Sequence, residues 1–134
     1  MTTITLQPIE RYYKNNGQHA EQVMRFTLTG EIAKADNKPH TLCGDVLDIQ
    51  IKSAKATVCK GYDIEAYLAL DGANRYAYVL ADFSKAYVMN KDEYIEFVKA
   101  FSCKSRESSQ HGGAPKLQLL SESKRMLAWF AERE

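Results

Sequence analysis

The sequence predicts one α/β (α+β) domain in which helices flank a mixed central sheet. Its 134 residues are enough to bury one sizeable hydrophobic core. Apolar residues recur every three to four positions in some segments and every second position in others, as in helices and strands respectively. The predicted elements follow one another as helix, mixed strands, helix, strand and helix, an order typical of helices packed on a sheet. We therefore expect a single domain over residues 1–134.

The N-terminal part of the chain predicts a helix. Residues 9–28 have helical spacing, and the turn signal Asn15-Asn16-Gly17 is expected to break this segment. Gly30 is the expected end of the helix. The apolar positions that recur after the turn are Ala20, Val23, Met24 and Leu28. His19 is expected to be an exposed helix residue rather than a catalytic base.

The middle of the chain predicts short extended segments separated by turns. Residues 31–35 suit a short strand, and residues 36–39 give a loop signal. Residues 46–58 are predicted to be extended. Residues 63–70 suit a short helix, although their Tyr and Ile content also allows a strand. Residues 71–74 predict a turn.

The C-terminal half predicts two strands and two helices, with a strand between the helices. Residues 75–81 and 86–89 are rich in aromatic and β-branched residues and predict strands. Asn90 is the expected N-cap of the next helix, with Glu93 as its capping-box partner. The polar residues 103–115 predict a mobile loop.

A final strand and helix complete the predicted order. Residues 116–120 predict the strand, and Ser121 or Ser123 is expected to cap the helix that follows. Its apolar side is predicted to carry Met126, Leu127, Trp129 and Phe130.

Composition excludes few functions. Eighteen Lys and Arg against seventeen Asp and Glu give a formal net charge of +1, which neither requires nor excludes a nucleic-acid partner. No apolar run approaches the roughly 20 residues that a membrane-spanning helix needs, so we expect no membrane partner. The segment Met1-Thr2-Thr3-Ile4-Thr5 lacks a basic region followed by an apolar one, so we expect no secretory signal and a cytoplasmic location.

The three cysteines are an odd number without Cys-x-x-Cys spacing, which predicts reduced thiols rather than a disulfide framework. The spacing of His40, Cys43 and Cys59 matches no common zinc-ligand pattern. Each cysteine is therefore interpreted as a small buried apolar residue.

Residues 44–53 carry the most informative pattern in the chain. At the strand period of two, one face would hold Leu47, Ile49 and Ile51, and the other Asp48, Gln50 and Lys52. A row of acid, amide and ammonium is costly to bury without partners. Such a row suits the mouth of a site for a divalent cation and a phosphate. The alternative interpretation is the solvated face of an edge strand.

Three pieces of the sequence together resemble the PD-(D/E)xK nuclease superfamily, which has the restriction-endonuclease-like fold. Residues 16–21 resemble its opening helix, whose acid, here Glu21, faces the site. Gly44-Asp45 occupies the place of its metal-binding aspartate. Gln50-Ile51-Lys52-Ser53 resembles its (D/E)xK strand, with glutamine in the acidic place.

The resemblance implies a Mg²⁺- or Mn²⁺-dependent endonuclease that hydrolyses DNA. Asp45, Gln50 and Glu21 would hold the metal, and Lys52 would orient the attacking water. By simple alternation Asp48, not Asp45, shares a face with Gln50 and Lys52, and a bulge or tight turn is needed to bring Asp45 round. The aspartate ligand therefore stays open between these two, with Asp36 in an upstream loop as a third candidate.

The nuclease hypothesis includes further candidate residues, and two other functions compete with it. Lys55, Lys60 and Lys116 are candidate phosphate contacts. A homodimer is expected if the protein makes double-strand breaks, because one such site cuts one strand. The first alternative function is a binding module of the same fold with a degenerate site, favoured by glutamine in the acidic place. The second is an unrelated α+β interaction domain.

Overall fold

The computed structural model describes residues 1–32, 45–70 and 73–134, and these contain seven strands and four α-helices. The strands are β1 (Thr2–Thr5), β2 (Ile49–Lys52), β3 (Thr57–Lys60), β4 (Arg75–Val79), β5 (Lys85–Asn90), β6 (Ser102–Arg106) and β7 (Pro115–Leu119). The helices are α1 (Asn16–Thr29), α2 (Ile64–Ala69), α3 (Lys91–Phe101) and α4 (Lys124–Ala131). The predicted α+β class is confirmed.

The strands form two sheets. The first has the order β1-β5-β4-β2, in which β2 runs parallel to β4 and the other pairs are antiparallel. The predicted mixed sheet is therefore present, and β2 stands at its edge. The second sheet is antiparallel with the order β3-β7-β6, and the sequence analysis does not predict it as a separate sheet. The short turn between β2 and β3 connects the two sheets.

The four-stranded sheet is covered by apolar side chains on both faces. On one face, Val23 and Met24 of α1 belong to the same apolar cluster as Ile49 and Ile51. The other face holds an aromatic core. Its members include Tyr76, Tyr78, Tyr87, Tyr94, Phe97 and Phe130. Three of these tyrosines, Tyr76, Tyr78 and Tyr87, lie on the two predicted strands at residues 75–81 and 86–89.

Local sequence signals place three of the helix ends. Gly30 ends α1 with φ 74°, a left-handed conformation that glycine adopts without strain, and its N–H donates to Phe26 O. The capping box of Asn90 and Glu93 is present at the start of α3. Ser123 caps α4, which decides between the two predicted serines. These three predictions are confirmed.

Several predicted boundaries are wrong. Residues 9–14 are not helical, because the turn signal begins the helix instead of interrupting it, with the Asn15 side chain accepting from Gln18 N. Residues 46–58 contain two short strands separated by turns. The predicted loop at residues 103–115 holds most of β6, whose polar side chains tolerate exposure while β7 satisfies its backbone. Strand β1 was not predicted, because it contains only one apolar residue, Ile4.

Of the remaining predictions, some can be compared with the structure and others fall on residues that it does not describe. Residues 63–70 contain the helix α2, so the helical alternative is correct. Residues 31 and 32 are not in a strand, and the rest of the predicted strand at 31–35 lies outside the described residues. The predicted loop at 36–39 and the first half of the turn at 71–74 also lie outside them. None of the described helices is both long and apolar enough to cross a bilayer.

Candidate functional site

The segment before β2 folds back on this strand through a two-residue turn. Val46 and Ile49 exchange both backbone hydrogen bonds, at 3.0 Å from Val46 N and 2.9 Å from Ile49 N. The two residues of the turn have positive φ, 50° at Leu47 and 63° at Asp48. Positive φ at both central positions is the pattern of a type I′ turn, the usual connection of a tight hairpin. The bulge or tight turn that Asp45 requires is therefore present.

The hairpin register puts the predicted site residues on one face. Continuing the Val46–Ile49 pair by one residue places Asp45 opposite Gln50, and opposite residues share a face. Val46 and Ile49 are buried on the α1 side, so Asp45 and Gln50 belong to the other side. Lys52 follows Gln50 by two residues and returns to its face, in agreement with the alternating burial of β2. The structure thus brings Asp45, Gln50 and Lys52 together on one face.

The prediction that Asp48 shares this face by alternation is wrong, because it assumed an extended chain through residue 48. Asp48 lies in the turn and is exposed. Leu47, predicted to share the buried face of Ile49, is 59% exposed for the same reason. Asp36 lies outside the described residues. Asp45 is therefore the described aspartate that shares a face with Gln50.

Lys52 is held at the junction of the two sheets. Its Nζ donates to Thr57 O at 3.2 Å, across the turn that connects β2 to β3. In this turn Ala56 N donates to Ser53 O at 3.1 Å, and Lys55 at the third position has φ 65°. A positive φ at that position is typical of a type II turn, which normally has glycine there. The ammonium of Lys52 thus lies beside the first residue of β3.

The cysteine predictions have mixed outcomes. Cys59 in β3 is buried, as expected, and burial raises the pKa of its thiol, against a smaller lowering by a hydrogen bond with the Leu117 backbone. Cys103 is exposed on β6, so its predicted burial is wrong. Cys43 and His40 lie outside the described residues.

Glu21 lies on the helix that packs against the hairpin strand β2. It lies on α1, which packs on the opposite face of β2 from Gln50 and Lys52. Arg25 lies one helical turn further along the same side of α1, and its Nη2 donates to Asp45 O at 3.4 Å. The contact fits the register, because the carbonyl of a non-hydrogen-bonded pair points away from the partner strand. The role of Glu21 as a ligand stays a prediction.

Sequence reasoning missed Arg25. Its spacing of four residues from Glu21 was the available signal, since residues three and four apart on a helix are neighbours. The side chain contacts the backbone of Asp45 from the α1 side, at the edge of the sheet. Its positive charge near the hairpin partly offsets the negative charge of the candidate ligands.

The donor set suits a hard cation held in part by water. Asp45 and Glu21 offer carboxylate oxygens and Gln50 an amide oxygen, and Mg²⁺ takes oxygen ligands while retaining several waters. Across residues 1–32, 45–70 and 73–134, no group of three or more His, Cys, Asp or Glu side chains could hold a metal ion. Gln50 in the acidic place leaves the described site with at most two carboxylates.

The structure brings together two of the three lysines that were predicted to contact phosphate. Lys60 on β3 and Lys116 on β7 are direct cross-strand partners. Lys55 lies in the turn between β2 and β3 and is exposed. All three belong to the second sheet or to the turn that leads into it from Lys52.

His19 is not the exposed residue that its sequence position suggested. Its side chain is buried, 6% exposed, and its ring meets Phe83 edge-on at a centroid distance of 4.6 Å. Burial, followed by the charge of Arg11, lowers the pKa of His19. Its Nδ1 has no hydrogen-bond partner among the described residues. His19 lies on the apolar side of α1 and is therefore a core residue of that layer.

Comparison with known proteins leaves this geometry to be interpreted by itself. No protein-family model matches the chain, and neither does any curated protein or any solved structure.

Proposed function

We propose that this protein is a Mg²⁺-dependent endonuclease that hydrolyses DNA phosphodiester bonds through a restriction-endonuclease-like site on the Asp45–Lys52 hairpin. One observation carries the proposal. The two-residue turn at Leu47 and Asp48 brings Asp45 opposite Gln50, with Lys52 next on the same face. The required order of acid, second oxygen ligand and lysine is thereby met within eight residues.

The chemistry follows from the residue types. Asp45 and Gln50 would hold the cation on the face that they share with Lys52, whereas Glu21 lies on α1, across β2 from this face. A bound Mg²⁺ would lower the pKa of a coordinated water and polarise the phosphate oxygen. Lys52 would orient that water and offset the charge that develops on the phosphate. Its Nζ donates to Thr57 O, and this bond holds the ammonium beside the start of β3.

The proposed site binds metal weakly. Gln50 supplies a neutral oxygen where a carboxylate would add charge, and the Arg25 guanidinium contacts Asp45 O. Both features reduce the attraction for a divalent cation. We therefore expect activity to require millimolar rather than micromolar metal, with the substrate phosphate completing the coordination.

The first experiment is cleavage of supercoiled plasmid and of single-stranded DNA at low salt with Mg²⁺ or Mn²⁺. Wild type is compared with Lys52→Ala and with Lys124→Ala, an exposed lysine at the start of α4 that matches the charge change. We expect metal-dependent nicking in wild type and Lys124→Ala, and its loss in Lys52→Ala. Equal nicking by Lys52→Ala would contradict the proposal.

Three further variants test the ligand assignment. Gln50→Glu restores a carboxylate and should lower the metal concentration at half-maximal activity. Asp45→Asn should abolish activity, whereas Asp48→Asn in the turn should retain it. Equal loss in both aspartate variants would contradict the assignment of Asp45 as the ligand on this face.

A binding module with a degenerate site is the second candidate. Gln50 and the Arg25 contact to Asp45 favour it, because both reduce the negative charge that holds a catalytic cation. It predicts DNA binding by wild type without nicking under any metal condition, and no gain of activity in Gln50→Glu.

A further inference from the structure

The three-stranded sheet has one polar face. Register and alternation place Thr57, Lys60, Lys116, Gln118, Cys103 and Ser105 on it. All six are half-buried or exposed, whereas Leu117 and Leu119 on the other face are buried. A bulge between Thr57 and Cys59 explains why Val58 and Cys59 are both buried although they are consecutive. The strand then returns Lys60 to the polar face.

On this face Lys60 and Lys116 are directly opposite each other. Gly61 N donates to Pro115 O at 2.8 Å, so the next pair along is of the non-hydrogen-bonded type, whose Cα atoms are about 4.5 Å apart. Like charges directly opposite on adjacent strands are destabilising. Within the described ranges neither ammonium forms an ion pair or a hydrogen bond. An anion bound between them would relieve the repulsion.

The lysine pair lies at a defined distance from the proposed site. The Lys52 ammonium contacts Thr57 O at the start of β3, and Lys60 follows Thr57 by three residues. Because of the bulge, these three residues of β3 advance by only two residues of β7, about 7 Å, close to the rise of two base pairs at about 3.4 Å each. Lys55 projects from the intervening turn. The positive charges thus form a track that begins at the site and runs along β3.

We infer that this polar face binds the phosphodiester backbone of the DNA substrate, and that Lys60 and Lys116 together hold a phosphate about two nucleotides from the bond that is cut. The inference rests on the proposed function for the substrate and for the position of the cut. Binding itself requires no metal and no cleavage. RNA carries the same phosphate chemistry, so the test includes it.

The test measures binding by fluorescence anisotropy in EDTA, with labelled duplex DNA, single-stranded DNA and RNA of one length. The variant Lys60→Gln/Lys116→Gln is compared with Lys14→Gln/Lys124→Gln, two exposed lysines that remove the same charge. We expect the first pair to raise Kd for DNA about tenfold or more and to lower the slope of log K against log salt by about 2. The control pair should change the slope little.

Three outcomes would overturn the inference that this face binds DNA. Equal binding by the two double variants would overturn the inference, as would tighter binding of RNA than of DNA by wild type. Absence of any binding by wild type at low salt would also overturn it. A thermal melt separates lost binding from misfolding, because removal of the opposed charges should leave the melting temperature unchanged or raise it. Wild type that binds through Lys60 and Lys116 but never nicks DNA would contradict the nuclease and support this inference.

Discussion

Two regions of this molecule differ in how well their structure agrees with local sequence preferences. From β4 to α3 the strands are rich in aromatic and β-branched residues and the capping box of α3 is complete, and Phe83 in the turn between β4 and β5 is the one residue here with unfavourable positive φ. Around β2 these preferences are broken. Three of the four non-glycine residues with positive φ in the described chain flank this strand, namely Leu47, Asp48 and Lys55. The backbone strain therefore stands where the candidate site residues do.

The difference teaches how the site is assembled. A left-handed conformation costs a non-glycine residue about 1–2 kcal/mol, so it persists only where neighbouring structure imposes it. Here the fully buried Val46 and the nearly buried Ile49 anchor both ends of the turn. Their burial holds a hairpin that its own turn sequence disfavours, and this hairpin puts Asp45 opposite Gln50. Local inconsistency of this kind is typical of functional sites.

The largest expected effect tests the consistent region. Phe130 on α4 stacks on Tyr87 at 4.2 Å between centroids, with 5° between the ring planes, and is fully buried. Phe130→Ala should cost roughly 3–5 kcal/mol of unfolding free energy by lost burial and the cavity left behind. Leu127→Ala on the same helix is the control, because that side chain is 36% exposed. Urea denaturation with similar losses for both would contradict the placement of the core.

A smaller effect is expected where this region satisfies a buried hydroxyl. Glu122 Oε1 accepts from both Tyr78 OH and Ala81 N, each at 3.0 Å. Burial, and then the charge of Glu122, raise the pKa of Tyr78, so the hydroxyl stays protonated and donates. Glu122→Ala should cost about 2 kcal/mol by leaving the hydroxyl without its acceptor. Glu122→Gln should lose less, and Glu10→Ala at an exposed position almost nothing, by the same denaturation assay.

The helix layer that packs on β2 should make the stability of the protein depend on pH. The pKa of buried His19 is lowered, so between its unfolded value near 6.5 and its folded value the unfolded chain binds more protons. Stability should therefore be intact above pH 7 and fall as pH drops below about 6.5, by at most about 1.4 kcal/mol per pH unit from this residue. His19→Gln should show a shallower decline in urea titrations between pH 7.5 and 5.5. An unchanged slope would contradict the burial of an uncharged imidazole.

Sequence reasoning succeeded where local signals and tertiary structure agree. Gly30, the Asn90–Glu93 capping box and the two strands of β4 and β5 were predictable, because each depends on residues close in the chain. The face shared by Gln50 and Lys52 follows from alternation alone. These features need no knowledge of distant contacts.

The other features depend on contacts between residues that local sequence patterns do not predict. Leu47-Asp48 lacks the Asn-Gly or Asp-Gly signature of a two-residue turn, so the hairpin appeared as continuous strand. The strand β6 contains only polar residues and one cysteine, and its pairing with β7 supplies the structure. The opposition of Lys60 and Lys116 follows from a register that includes a bulge, and alternation cannot predict a bulge.

The smallest expected effect is an increase in stability, and it tests directly whether the turn before β2 is strained. Leu47→Asn should raise the unfolding free energy by up to about 1 kcal/mol, because asparagine tolerates positive φ and suits a type I′ turn. Little burial is lost, since Leu47 is 59% exposed. Leu120→Asn is the matched control: it lies outside the residues with positive φ and should bring no gain. Because the hairpin register is unchanged, Leu47→Asn should also retain the nicking activity that we propose for this hairpin. A loss of stability in Leu47→Asn would mean that the turn carries no strain, and the contrast between the two regions would disappear.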